Sequence, residues 1–137
     1  MTRPITSRIA FMALASAATL CASATAIAAT PAELQSAYSA TAGAAPVPSR
    51  GQALFTDRHG REWSCSSCHG AVPTRAGRHA TTGKAIAALA PAANPERFVD
   101  AAKSEKWFRR NCNDVLGREC SAAEKADVLA WLRTLTP

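Results

Sequence analysis

Apolar residues recur along this chain at helical spacing, and no stretch alternates with the period of two that marks a half-buried strand. The pattern is clearest near the C-terminal end. Ser121-Ala122-Ala123-Glu124 is a capping box. Behind it Ala126, Val128, Leu129, Leu132 and Leu135 form an apolar stripe, with Trp131 alongside. A second helix is predicted over about 104–116, where Phe108, Cys112, Val115 and Leu116 share a helical face and Gly117 suits the position just past the end. Asn94-Pro95-Glu96 predicts another helix start: an amide cap, a proline at the first helical position and an acid at the positive end of the dipole. Phe98 and Val99 are its inner face. Further upstream, Ser49 is the expected cap of a short helix carrying Ala53, Leu54 and Phe55, which His59-Gly60-Arg61 breaks.

The remaining segments are weaker. Residues 71–83 read as loop, punctuated by Pro73, Gly77 and Gly83, and residues 84–89 form a short apolar piece, a helical turn closed by Pro91. Residues 29–48 are rich in Ala, Ser and Thr. Beyond a helical turn at 33–38 they read as a lead-in or linker. Residues 9–20 are apolar apart from Ser16 and Thr19, follow Arg3 and Arg8, and precede Ala26-Ile27-Ala28. Basic start, short apolar run and small-residue site predict a secretory signal over 1–28, too short to span a bilayer comfortably. The domain expected to remain is residues 49–137, all-α, and small enough to bury only a modest core by itself. The formal charge of +6 falls to +4 without Arg3 and Arg8. The basic residues are scattered, not striped, which is no nucleic-acid signature.

Candidate chemistry concentrates at Cys65-Ser66-Ser67-Cys68-His69. C-x-x-C-H is the attachment motif of covalent haem c: each thiol adds to one vinyl group, and the histidine becomes the proximal iron ligand. A C-x-x-C redox pair would sit in a βαβ pattern, which is missing. A zinc site would need a second ligand pair at short spacing, also missing. Beyond the predicted signal the only other cysteines are Cys112 and Cys120, free to bond to each other in an oxidising compartment.

The sixth iron ligand is the open question. Both methionines, Met1 and Met12, lie in the predicted signal, so the sulfur ligand of an ordinary cytochrome c is lacking. His59 and His79 are strong-field candidates, though His59 stands only six residues before Cys65 and His79 lies in a glycine-bounded loop. The run Trp107-Phe108-Arg109-Arg110-Asn111-Cys112-Asn113-Asp114 crowds aromatic, basic and amide groups onto one helix. Asn111 lies between the directions of Trp107 and Phe108, so a helix that laid these rings on a haem would bring Asn111 to the same surface. From the residues alone it is equally a polar group facing water, and Arg109 and Arg110 are equally propionate partners or solvated surface.

With those residues in view, the stretch 105–120, followed by Glu124-Lys125-Ala126-Asp127 and Trp131-Leu132, resembles the sphaeroides haem protein type of class I cytochrome c, as does Leu89-Ala90-Pro91-Ala92-Ala93-Asn94-Pro95-Glu96-Arg97-Phe98 upstream. The resemblance runs from about Gly51 to the C-terminus. It implies a small class I cytochrome c fold around one covalent haem c, held by Cys65, Cys68 and His69; from the residues themselves, Trp107 and Arg109 are expected to contact that haem. It implies a ferric-state asparagine ligand, Asn111, beside a disulfide between Cys112 and Cys120. On reduction the asparagine leaves, and oxygen, nitric oxide or carbon monoxide can bind. A dihaem cytochrome c and a membrane cytochrome b are the implied electron donors, and the periplasm the implied compartment. A closed low-spin electron carrier, and a haem enzyme acting on nitric oxide or peroxide, stand as alternatives.

Overall fold

The computed structural model describes residues 29–137; the expected signal, 1–28, lies outside them. Five helices and one minimal hairpin follow in the order α1 (Pro31–Ala42), α2 (Pro48–Thr56), α3 (Cys65–His69), β1 (Gly77–Arg78), β2 (Ala85–Ile86), α4 (Ala101–Leu116) and α5 (Ala122–Leu132). The central element is α5, with every residue from Ala126 to Leu132 buried. Its start is the capping box read from the sequence: Glu124 N–H donates to Ser121 Oγ (3.2 Å) and Ser121 N–H to Glu124 Oε2 (2.8 Å). A helix apolar around most of its circumference must be covered on more than one side. α1 covers one flank through Leu34 and Tyr38 against Ala126 and Leu129, and α2 the other through Phe55 against Val128, Trp131 and Leu132.

α2 crosses α5 at backbone contact. A Cβ on Gly51 would stand 2.1 Å from the Asp127 carbonyl oxygen, so only glycine fits there. Asp127 is 4% exposed, and its carboxylate accepts from Val47 N–H (2.5 Å) and from Arg50 Nε (2.7 Å) and Nη2 (3.1 Å). Three donors compensate the desolvated charge. They also begin α2 earlier than expected: Val47, not Ser49, is its N-cap, and its free N–H is satisfied from α5 rather than by a local side chain.

Three other boundaries depart from the sequence reading. The stretch taken as lead-in holds a full helix, α1, with Thr30 and Glu33 as a reciprocal capping box, Pro31 at its first turn and Gly43 at φ +63° past its end. Its two inward residues, four apart, leave almost no periodic signal, yet it packs on the core. Asn94 opens a series of turns, not a helix. Its Oδ1 accepts Glu96 N–H (3.2 Å) and its Nδ2 donates to Ala88 O (3.1 Å), and Phe98 at φ +63° prevents helical continuation. α4 starts instead behind Asp100, whose Oδ1 accepts Lys103 N–H (2.9 Å). Finally, residues 84–89 do not form a helical turn. Ala85 and Ile86 pair antiparallel with Arg78 and Gly77, a ladder too short to leave an alternation.

α4 turns Ser104, Cys112 and Val115 inward, with half-buried Phe108 between them. Phe108 meets Tyr38 edge-to-face at 5.8 Å and Phe98 at 6.2 Å. Beyond Gly117 (φ +73°) the Cys112–Cys120 disulfide, Cα–Cα 5.6 Å, ties the end of α4 to the start of α5.

Candidate haem site

α3 is barely more than one turn and is fixed from outside itself. Ser64, buried just ahead of it, takes part in a reciprocal cap with Ser67: Ser64 N–H donates to Ser67 Oγ at 3.0 Å, and the two hydroxyls stand 3.1 Å apart. Cys65 and Cys68, three apart on this turn, share a face. Both are free and half-buried. Cys65 packs against the cluster of Phe55, Trp131 and Leu132, and burial pushes its thiol up to about 11. Cys68 Sγ accepts Ala80 N–H at 3.3 Å. The His69 ring lies 6.1 Å from that of Phe55. Burial, with a smaller effect of the Arg97 charge, pushes the imidazole down to about 4. It is therefore neutral at physiological pH, with a lone pair free for iron.

The hairpin closes on α3 from one side. A Cβ on Gly77 would meet Cys68 O at 2.1 Å and His69 Cα at 2.9 Å. The loop following the motif is fastened to the segment after the hairpin: Leu89 and Ala90 N–H both donate to Pro73 O at 3.0 Å. Gly77 thus keeps side chains out of the narrowest approach to the motif. Two free thiols one turn apart beside a neutral imidazole are a donor set that fits covalent haem c. Among the described residues no group of three or more His, Cys, Asp and Glu could hold a bare metal ion.

α4 carries the remaining candidates. Asn111 is half-buried and lies on the inner face of α4, in register with Ser104, Phe108 and Val115. Asp114, one turn further, lines a polar cleft together with Gly60, Arg61, Glu62 and Trp63. The loop entering α3 and the turn of α4 that follows Asn111 are therefore neighbours, and a Cβ on Gly117 would stand 2.7 Å from Arg61 Nη1. Trp107 is 44% exposed, with the Arg110 guanidinium 5.6 Å from its ring centre. Arg109 leaves α4 on the side away from Asn111, where its charge acts on Glu105. The structure thus brings Trp107 near the Asn111 face and does not bring Arg109 there. Both histidine alternatives are engaged elsewhere. His59 Nε2 donates to Leu54 O at 2.8 Å, and His79 Nδ1 accepts Thr81 and Thr82 N–H at 3.3 and 3.2 Å on the hairpin side of α3.

Sequence reasoning passed over Ser64, Gly77 and Arg97. The serine was legible as a polar cap directly ahead of Cys65. The other two owe their roles to contacts 8 to 28 residues away from His69 in the chain and had no local signal.

Fold and donor set together define a c-type cytochrome. Residues 41–132 match a family described as a domain of unknown function, DUF1924. The chain is 55% identical over 106 residues to cytochrome c-type protein SHP of Cereibacter sphaeroides, covering 74% of this chain and 81% of the relative. It is 45% identical over 82 residues to cytochrome c'' of Methylophilus methylotrophus, covering 60% and 57%. The solved structure of oxidised SHP, an oxygen-binding cytochrome c, superposes with a TM-score of 0.72 at 52% identity, over 77% of this chain and 96% of that one. Oxidised cytochrome c'' gives 0.70 at 37% identity, over 78% and 95%. The chain belongs to the sphaeroides haem protein type of c-type cytochrome and to DUF1924. Its cofactor is haem c, covalently bound.

Proposed function

We infer that this is a periplasmic monohaem cytochrome that takes up electrons and, once reduced, binds oxygen or another small diatomic ligand, with Asn111 as the displaceable sixth ligand in the oxidised state. When bound, the haem would supply an iron able to change between ferric and ferrous. Cys65 and Cys68 anchor the group, and His69 presents a neutral nitrogen from a turn clamped by Ser64 and Gly77. Asn111 Oδ1 is a weak neutral donor, adequate for a hard ferric ion and poor for a ferrous one. Swung aside, its amide N–H donates to a diatomic guest in the distal space. The disulfide at Cys112 would hold the backbone next to Asn111 in place while its side chain moved.

One observation carries the reading: Asn111 lies on the inward face of the α4 turn that adjoins the loop entering α3, while His59 and His79 are engaged by backbone groups. The relatives support it. SHP is an oxygen-binding cytochrome c, and the solution structure of cytochrome c'' concerns haem-ligand detachment. The electron donors are a dihaem cytochrome c and a membrane cytochrome b, following the family resemblance. No helix among the described residues is long and apolar enough to cross a membrane.

The test is the optical spectrum of the mature holoprotein, oxidised, reduced, and reduced under carbon monoxide. A high-spin ferric spectrum and a ferrous form that takes up carbon monoxide readily are expected. Low-spin spectra in both states with no carbon monoxide effect would make the protein a closed electron carrier.

A further inference from the structure

The basic residues of the chain are spread along it, but the acidic ones are not. No acid falls between Glu62 and Glu96, a stretch that holds the haem motif, the hairpin and Arg75, Arg78 and Lys84. All three cations are exposed, and among the described residues none of them makes an ion pair. Arg78 Nη1 donates to Gly83 O at 2.8 Å, which lays its charge over the tip of the hairpin. Lys84 stands across the hairpin from His79, whose N–H donates to Lys84 O at 2.8 Å. Arg75 lies just ahead of β1.

This basic segment is seated on the haem motif. Gly77 comes so close that a Cβ there would meet Cys68 O at 2.1 Å, and Ala80 N–H donates to Cys68 Sγ at 3.3 Å. Buried Pro73 fastens the start of the segment, since its carbonyl accepts Leu89 and Ala90 N–H at 3.0 Å. Between the cations the surface is small and apolar. Val72 is 60% exposed, and Ala71, Ala76, Ala80 and Ala85 are exposed as well. Side chains this small let a second protein come close to the Cys68 sulfur. A small apolar centre ringed by charges of one sign suits a brief encounter between proteins, not a permanent interface.

We propose that the face formed by residues 71–85 is the docking surface for the electron donor, and that the donor is a protein presenting an acidic patch to it. Arg75, Arg78 and Lys84 steer the encounter, and Ala71, Val72 and Ala80 form the contact next to Cys68. One electron passes from the donor to the iron, so the donor is oxidised as ferric becomes ferrous, and no bond is made or broken. Exposed charges attract over about 10 Å in ordinary buffer, so the association rate carries the effect more than the affinity of the final complex. The inference deepens the electron-uptake reading, rests on the haem reading of Cys65, Cys68 and His69, and is independent of Asn111.

The experiment is stopped-flow reduction of the ferric holoprotein by reduced flavodoxin, a small acidic one-electron donor, at ionic strengths from about 10 to about 300 mM. The wild-type rate constant is expected to fall about tenfold over that range. A double variant, Arg75→Gln with Lys84→Gln, keeps the Arg78 bond to Gly83. At low salt its rate constant should be about fivefold below wild type, with most of the salt dependence gone. Arg133→Glu removes the same two units of charge at the C-terminal end of α5 and should change the rate less than about twofold. Equal losses in the two proteins would mean that net charge alone acts, and would overturn the proposal. So would a wild-type rate indifferent to salt. Phosphatidylserine vesicles are the second arm: if the double variant loses vesicle binding while its flavodoxin rate is unchanged, the face docks to lipid and the proposal falls. Dithionite, too small to need a docking face, separates the two levels. A holoprotein that dithionite does not reduce fails the electron-uptake reading itself. A double variant that dithionite reduces as it does wild type, while flavodoxin reduces it more slowly, supports the docking face.

Discussion

Asn111 is a short, half-buried polar side chain on the inward face of α4, between Phe108 and Val115. An iron atom or a diatomic guest would satisfy it. On the proposed reading, replacing Asn111 by alanine would remove both the ferric ligand and the hydrogen bond to the guest. Losing one such bond is worth about 1.4 kcal/mol, so the ferrous oxygen complex of Asn111→Ala should lose oxygen or autoxidise roughly tenfold faster. Stopped-flow rates equal to wild type would remove Asn111 from the distal site. The arginines nearby show why residue type alone did not suffice. Arg109 and Arg110 adjoin Asn111 in sequence. Yet Arg109 lies on the side of α4 away from Asn111, and Arg110 lies over Trp107, while Arg97, fourteen residues upstream of Asn111, is the arginine that grips the Ala87 and Ala88 carbonyls.

Among the elements, α2 and α5 make the closest contact, and Gly51 is its narrowest point. A methyl group there would meet the Asp127 carbonyl at 2.1 Å, and backbone cannot rotate away as a side chain could. Gly51→Ala should therefore force the helices apart, disturb Phe55 against Trp131 (5.0 Å), and lower stability by about 1–3 kcal/mol. A thermal midpoint within a degree of wild type would contradict this. The capping boxes of α1 and α5 were both written in the sequence, but only that of α5 preceded a periodic stripe. The helix at 31–42 went unread because an apolar pair four apart carries too little contrast. The start expected at Asn94 failed because its side chain bonds to Ala88, a tertiary partner, and stops the helix the local signals favour.

At the scale of the whole molecule, the haem motif is held on one side by a hairpin of two-residue strands and on another by Phe55 of α2 with the cluster of Trp131 and Leu132 behind it. α3 buries no residue of its own completely. Such short elements, in a domain this small, depend on a large apolar body between them; a haem tethered in the folded and unfolded chain alike would stabilise the fold because its apolar surface is buried only in the native state. A Cys65→Ala, Cys68→Ala protein without haem should melt without a cooperative transition by calorimetry. A sharp transition like that of the holoprotein would show that α1, α2 and α5 suffice.

The sequence by itself determined the covalent chemistry, the all-α class, and α4 and α5, because thiol spacing, caps and helical periodicity are local and each is readable within a few residues. The family resemblance, which extends well beyond the haem motif, was legible there too. Only the tertiary structure decided that residues 31–42 belong to the core, that the Asn94 segment turns instead of coiling, and that His59 and His79 take part in local hydrogen bonds with the backbone. The first depends on α5, far along the chain, and the others on turns that bring a backbone group within reach of a side chain a few residues away; neither burial nor the path of a turn leaves a mark on the residues that meet it.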